Sequence, residues 1–275
     1  MSREDSDSSE EIVRSQYFSF LQDAREAFGH YELWLNWAWQ DIRLRYVRSK
    51  IGPFWITIST VMFISTLGFL RSVLSGESMV VYLPFIAFGL VPWQMMAEII
   101  NTSPEVYAQN KNFLTSMRVN PLILILKTMM STVFIFLHDL VIFVPIIIFL
   151  RIPVNWNLLF VIPGFLLVMA NIFLFALNLS LMGVRYQDFG QIVRSITRIL
   201  FFLTPIYWSP DELVKGRLVA LVNPFTHYID LIRAPFLGEA PELRSWIFSF
   251  LFICIMGGVS VFTYRRKASR IAFWV

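Results

Sequence analysis

The residues with the most unusual chemistry in this chain are ionisable side chains inside long apolar runs. His138 and Asp139 are adjacent in one such run, and Lys127 precedes them in it. Because charge inside a bilayer is costly, residues of this kind usually face a cavity or pair with a neighbour. Two interpretations therefore stay open for the His–Asp pair: it lines a conduit, or neighbouring helices satisfy it.

The sequence carries no motif of a catalytic site. A nucleotide-binding P-loop needs Gly-x-x-x-x-Gly-Lys-Ser/Thr, and only Lys127 is followed by Ser or Thr, without glycine at the required spacing. The three histidines, His30, His138 and His227, are far apart and form no metal-spaced pair. Gly-x-Ser-x-Gly is also missing. We therefore expect no catalytic residue, metal or cofactor on this chain.

Composition favours an integral membrane protein. Hydrophobic residues make up 56% of the 275 residues and charged residues 15%, whereas soluble chains are usually nearer a quarter charged. A bilayer core needs about 20 apolar residues. The candidate spans are Phe54–Leu70, Val80–Ile100 (broken by Pro84 and Pro92), Leu122–Leu150, Leu158–Val184 and Phe248–Tyr264.

The placement of basic residues predicts a sixth span. Lys and Arg concentrate on the cytoplasmic side of membrane proteins. Basic clusters stand before the first candidate span, at 43–50, and after the last, at 265–270. Both ends are therefore expected in the cytoplasm, which requires an even number of crossings. The stretch 192–208 must then cross, although it carries two arginines.

The segments around the spans complete the predicted organisation. Residues 1–14 are acidic and Ser-rich and are expected to be a disordered tail. Residues 15–50 combine apolar periodicity, aromatics and basic residues, which suits an interfacial helix, or else an amphipathic helix packed on a soluble partner. Residues 51–265 form the transmembrane domain and 266–275 a cytoplasmic tail. Within that domain, 209–245 predicts a re-entrant hairpin on the outer side, or else a plain loop.

The predicted fold class is therefore all-α. It is a polytopic membrane protein with six transmembrane helices, an N-terminal interfacial amphipathic helix and an outer re-entrant helical hairpin.

Three stretches of the sequence resemble the permeases of ABC-2 type exporters. They are Arg45-Tyr46-Val47-Arg48-Ser49-Lys50-Ile51-Gly52-Pro53-Phe54-Trp55, then Arg185 to Asp188 with Phe201 to Ile206, and finally Asn223-Pro224 with Arg233 and Gly238. The resemblance is closest to the branch that exports lipid-linked O antigen, capsule or teichoic acid. Arg198 departs from the pattern, because relatives often carry an amide there.

This resemblance implies partners as well as a fold. Such permeases form homodimers in the bacterial inner membrane, and each copy binds one cytoplasmic ATPase subunit that holds ATP and Mg. The expected partners are therefore a second copy, two ATPase subunits, a lipid-linked glycan and membrane lipids. Nucleic acid is not expected, because topology already explains the basic segments.

Three groups of residues are candidates for function. The loop between the second and third spans resembles a coupling helix that docks on the ATPase, with a solvated loop as the alternative. Its candidate residues are Glu105, Tyr107, Asn110, Lys111, Phe113 and Arg118. Basic residues before the first span could guide an anionic pyrophosphate to a substrate entrance, although topology explains them equally. They are Arg43, Arg45, Arg48 and Lys50.

The third group consists of aromatic rings at the outer ends of spans. Flat rings can stack on sugars while tolerating sliding, although interfacial anchoring is the alternative. The candidates for lining the conduit are Tyr82, Trp93, Tyr207 and Trp208.

The sequence thus predicts the permease subunit of an exporter that moves a lipid-linked polysaccharide, with O antigen favoured. Capsule or teichoic-acid export, drug or small-lipid export, and a membrane glycosyltransferase are the alternatives, in that order.

Overall fold

A computed structural model describes residues 20–47, 49–52, 54–76, 78–117, 119–210 and 216–274. All regular secondary structure in these ranges is helical, which confirms the predicted all-α class. The predicted tail, 1–14, lies outside the described residues, as do Arg48 and Arg118.

The α-helices are α1 (Phe20–Gly29), α2 (Tyr31–Tyr46), α3 (Phe54–Ser75), α4 (Met79–Thr102), α5 (Val106–Gln109), α6 (Lys111–Ser116), α7 (Pro121–Asp139), α8 (Phe143–Phe149), α9 (Val161–Gly183), α10 (Phe189–Leu203), α11 (Gly216–Val222), α12 (Pro224–Phe236), α13 (Leu243–Lys267) and α14 (Ile271–Trp274).

Five helical segments of the described chain are long and apolar enough to cross a membrane. Short 3₁₀ turns at Ser103–Glu105, Leu140–Ile142, Trp156–Phe160 and Ala268–Arg270 extend several of them. The five coincide with the runs expected from hydropathy. They are Phe54–Ser75, Met79–Gln109, Pro121–Phe149, Trp156–Gly183 and Leu243–Arg270.

The expected break in the second span is wrong. Pro84 and Pro92 lie inside α4, which continues without interruption from Met79 to Thr102. A proline removes one backbone hydrogen bond and crowds the preceding turn. In a buried span, however, neighbouring helices can hold the backbone in place, and both prolines are buried here.

The count of six crossings stays a prediction. The helix that covers most of 192–208 is α10, which contains 15 residues, begins at Phe189 and ends at Leu203. At about 1.5 Å per residue it is some 22 Å long, shorter than a hydrocarbon core of about 30 Å. One face of α10 nevertheless packs against α4.

The segment after α10 folds back among the spans. Helices α11 and α12 meet at Asn223, whose side chain accepts the Phe225 amide at 3.0 Å and donates to Thr204 Oγ1 at 2.9 Å. Helix α12 is largely buried against α4, α9 and α13. This helical pair is the arrangement that the predicted hairpin requires and that a plain loop would lack.

Polar side chains join α9 to α13. Asn171 Nδ2 donates to the Ser249 carbonyl at 3.1 Å, and Asn178 exchanges hydrogen bonds with Ser260 and Thr263 at 2.6 and 2.7 Å. Hydrogen bonds of this kind contribute about 0.6 kcal/mol each on average in a membrane helix bundle. These bonds to α13 satisfy both polar atoms of Asn178 and the Asn171 nitrogen, whereas Asn171 Oδ1 is buried without a partner among the described residues.

The N-terminal helices pack on the bundle, with a break between them at His30. Asp23 in α1 accepts the Tyr264 hydroxyl at 2.9 Å, and its carbonyl accepts Asn120 Nδ2 at 2.9 Å. Helix α2 runs along α7, and the C-terminal α14 contacts α6. Both ends of the described chain therefore lie at the same end of the molecule as the 103–117 segment.

Candidate functional site

The 103–117 segment, which contains α5 and α6, is fixed closely to α9. Ser180 Oγ donates to the Ser103 carbonyl at 2.8 Å. A Cβ at Gly183 would lie 2.2 Å from the Pro104 carbonyl oxygen, a distance that no side chain tolerates. Glycine is therefore required at this crossing, because the backbone of the segment rests directly on α9.

An ion pair joins this segment to α10. Arg194 Nη1 lies 2.5 Å from Glu105 Oε1, and Gln109 Nε2 donates to Glu105 Oε2 at 3.1 Å. Gly190 faces the same carboxylate, 3.0 Å from where its Cβ would stand. Glu105 thus links the segment to α10.

A buried lysine joins the segment to α2. Lys127 Nζ lies 2.8 Å from Asp41 Oδ2 and donates to Asn110 Oδ1 at 3.1 Å. The ammonium also stands 5.7 Å from the centre of the Phe113 ring, which packs on Trp37 at 4.6 Å. Sequence reasoning missed Asp41, although a lone lysine in an apolar run requires an anionic or polar partner.

The predicted coupling residues divide between the inside and the outside of the segment. Tyr107 is fully buried, Asn110 is buried and Phe113 is half-buried, so these three side chains hold the segment in place. Lys111 is exposed and Glu105 is half-buried. The exposed side of the segment is formed by Ala108, Gln109, Lys111, Asn112, Thr115, Ser116 and Met117.

One predicted entrance residue lines a cavity whose walls combine charged and apolar side chains. Arg45 borders a cavity of about 500 Å³ between α3, α4 and α7, together with Glu98 and Asp139. Asp139 Oδ1 accepts Thr57 Oγ1 at 2.8 Å, so a neighbouring helix satisfies this carboxyl and the cavity borders it as well. Arg43 and Lys50 are exposed at the surface outside the cavity lining.

The predicted conduit aromatics lie in different surroundings. Trp93 is buried against Phe201 and Phe225. It lies near the middle of the span Met79–Gln109 and not at its outer end, because α4 continues through Pro92. Trp208 is also buried and donates its Nε1 to the Phe202 carbonyl at 3.1 Å. These two rings therefore offer little surface within a single copy.

The other two rings are partly accessible. Tyr207 stacks on Phe201 with ring centres 5.8 Å apart. Tyr82 lies under the Arg71 guanidinium, 4.7 Å from the ring centre. Their assignment to a conduit stays a prediction.

Helix α10 presents three faces along its length. Gly190, Val193 and Thr197 are buried. Two exposed stripes remain, spaced three and four residues apart as one side of a helix requires. The polar stripe is Gln191, Ser195 and Arg198, with the exposed Phe202 at its end, and the apolar stripe is Ile192, Ile196, Ile199 and Leu203.

A buried arginine ties the end of α10 to the hairpin. Arg233 Nη1 donates to the Pro205 carbonyl at 2.7 Å, and its guanidinium lies 3.9 Å from the centre of the Phe85 ring. Within the described residues, no three His, Cys, Asp or Glu side chains converge where they could hold a metal ion.

A multi-span helical domain with its polar contacts placed between helices is typical of a polytopic membrane protein. Residues 32–237 match the profile described as ABC-2 type transporter. The chain therefore belongs to the ABC-2 type transporter family, and is a transporter membrane subunit.

A curated relative is similar over nearly the whole chain. It is the O-antigen export system permease protein RfbA of Myxococcus xanthus, 22% identical over 257 residues, which cover 88% of this chain and 96% of that protein.

Proposed function

We propose that this chain is the permease subunit of an ATP-driven exporter of lipid-linked polysaccharide, with O antigen as the favoured substrate, in the bacterial inner membrane. Family membership supports transport, and similarity to the O-antigen export permease of Myxococcus xanthus supports the substrate class. Both ends of the chain would lie in the cytoplasm, which agrees with the position of the described α1 and α14 at the same end of the molecule as the 103–117 segment.

The observation that carries this proposal is the open face formed by α3 and α10. The two helices are neighbours, since the Phe63 and Phe201 rings lie 6.1 Å apart. Most of α3 is exposed, and α10 exposes the polar residues Gln191, Ser195 and Arg198. A polar stripe facing lipid would be costly. A second copy placed against this face would enclose the stripe in a polar conduit.

Energy would enter through the exposed side of the 103–117 segment. Its outward residues are polar or small apart from Met117, which is 65% exposed. Its inward residues are held by Ser180, Arg194 and Lys127, on three different helices. A partner ATPase that moves this segment would therefore move α9, α10 and α7 with it, because packed elements shift as units.

Co-purification tests the composition of the exporter. The tagged chain, expressed with an ATPase encoded beside it, is expected to yield a complex of two permease copies and two ATPase subunits by mass photometry. A complex with one permease copy, or no ATPase recovered from a well-expressed chain, would contradict the proposal.

A further inference from the structure

Arg198 is an exposed arginine at the depth of a membrane span. Three residues further along α10, Phe201 packs on Trp93, in the middle of the span Met79–Gln109, with ring centres 6.0 Å apart. One turn before Arg198, Arg194 pairs with Glu105 towards the end of the same span. Arg198 therefore lies between the middle and the end of that span, beside the exposed apolar residue Ile199.

No carboxylate among the described residues forms an ion pair with Arg198. Its Nε donates to the Arg194 carbonyl at 3.4 Å and its Nη2 to Ser195 Oγ at 3.3 Å, both long bonds to neutral oxygens. Within the part of the chain that the structure describes, Arg198 forms no ion pair. A guanidinium has five N–H donors, so most of its capacity remains for another group.

Arg198 opens onto a polar cavity of about 480 Å³. The cavity is lined by Asn101, Gln191, Arg194, Ser195 and Arg198. Glu105 offsets the charge of Arg194, so the net positive charge of the cavity rests on Arg198. The Asn101 Oδ1 atom is buried and has no hydrogen-bond partner among the described residues, which leaves an acceptor for a hydroxyl group.

We propose that this cavity, which we call the α10 mouth, binds a negatively charged group of the exported glycolipid, with Arg198 supplying the recognising charge. This inference rests on the proposed function. Guanidinium groups pair with carboxylate and phosphate through parallel hydrogen bonds, and such pairs are stronger where water is partly excluded. Two copies facing each other would present two such arginines to one substrate.

The anionic group can come from two sources on such a substrate. One is the pyrophosphate that links a glycan to its lipid carrier, and the other is a carboxylate on an acidic sugar. The α10 mouth fits the chemistry that both share. Separate probes distinguish them: farnesyl pyrophosphate against farnesol, and hexagalacturonate against maltohexaose.

Binding is measured by microscale thermophoresis on the complete permease–ATPase complex in phosphatidylcholine nanodiscs. Arg198→Gln is expected to raise the Kd of one or both anionic probes about tenfold, which is about 1.4 kcal/mol, and to leave the neutral probes unchanged. Arg198→Lys keeps the charge but loses the parallel donors of the guanidinium, so it should raise the Kd by less than Arg198→Gln does. Arg265→Gln is the control, since it removes an exposed arginine at the end of α13.

The responding probe identifies the source. A change with farnesyl pyrophosphate assigns the mouth to the carrier headgroup, and a change with hexagalacturonate assigns it to the glycan. The inference is overturned if neither anionic probe binds the wild-type complex, or if Arg198→Gln binds both as tightly as wild type. It is also overturned if Arg265→Gln weakens them equally. Glycan export by the wild-type complex, measured in parallel, separates these results from a failure of the proposed function.

Discussion

Arg194 Nη1 and Glu105 Oε1 lie 2.5 Å apart, in an ion pair between the start of α10 and the segment that follows α4. The contact joins the proposed ATPase-docking segment to the helix that carries the exposed polar stripe. A displacement of the segment would therefore reach α10 through a charged, directional contact as well as through packing.

Glu105→Gln is expected to weaken coupling more than stability. Both side chains are about 40% exposed, and such pairs contribute up to about 1 kcal/mol, or about fivefold in an equilibrium. Glycan-stimulated ATP hydrolysis should fall by up to that factor, while the melting temperature changes little. The charge swap Glu105→Arg with Arg194→Glu should restore part of the rate. Unaltered stimulation in the single variant would argue against the link.

Gly183→Ala should displace the 103–117 segment. The added Cβ would stand 2.2 Å from the Pro104 carbonyl oxygen, and overpacking of this kind costs about 1–3 kcal/mol. Thermal unfolding in detergent should show the loss, and recovery of the ATPase in a pull-down should drop. Gly257→Ala is the matched control, because nothing lies within 4 Å of its Cβ position. Equal behaviour of the two variants would refute the close crossing.

Lys127→Met should destabilise the packing of α2 on α7. It leaves Asp41 without its cation and Asn110 without its donor, at a cost of about 1–3 kcal/mol for polar groups left unpaired. Lys50→Met, at an exposed position, should have little effect. The measurement is again the melting temperature, and a Lys127→Met protein as stable as the Lys50→Met protein would contradict the role of this pair.

A cysteine at Asn112 should crosslink to the ATPase. Asn112 is on the exposed side of the segment, and the native Cys254, which is also exposed, is first replaced by serine. A cysteine at the exposed Leu74 is the negative control. Leu74 lies near the C-terminal end of α3, which is expected on the other side of the membrane from the 103–117 segment. Absence of a crosslink at 112 in an assembled complex would exclude this side of the segment from the docking surface.

Tyr207→Ala should slow export if its ring contacts the passing glycan. Loss of one aromatic contact costs about 0.5–1.5 kcal/mol, which is a factor of about two to ten in rate. Trp156→Ala provides the control, because Trp156 is 86% exposed and forms part of a different surface. Full export by a well-expressed Tyr207→Ala protein would remove this ring from the conduit.

Local properties of the sequence predicted the spans but not their contacts. Five spans follow from runs of apolar residues, because a bilayer demands length and hydrophobicity in one segment. The partnership of Asp41 with Lys127, and of Glu105 with Arg194, joins residues far apart in the chain. Hydropathy and charge counts do not show which side chains contact each other in the folded protein.

Two further differences have the same origin. The continuity of α4 through Pro92, and therefore the central position of Trp93, depends on neighbouring helices that support the backbone. The inward orientation of Tyr107 and Asn110 follows from the packing of the 103–117 segment on α9 and α7. The polar and aromatic composition of this loop predicted a docking surface. Only the residues on the exposed side of the segment can form one.

Two copies of this chain, with their ATPase subunits, are proposed to export a lipid-linked polysaccharide. Transport by the purified complex in proteoliposomes, followed with lipid-linked O-antigen glycan, tests this proposal. We expect ATP-dependent delivery of glycan to the opposite leaflet, and no delivery when Mg is withheld from the ATPase. ATP-dependent transport of small lipids or drugs with no movement of any lipid-linked glycan would contradict it.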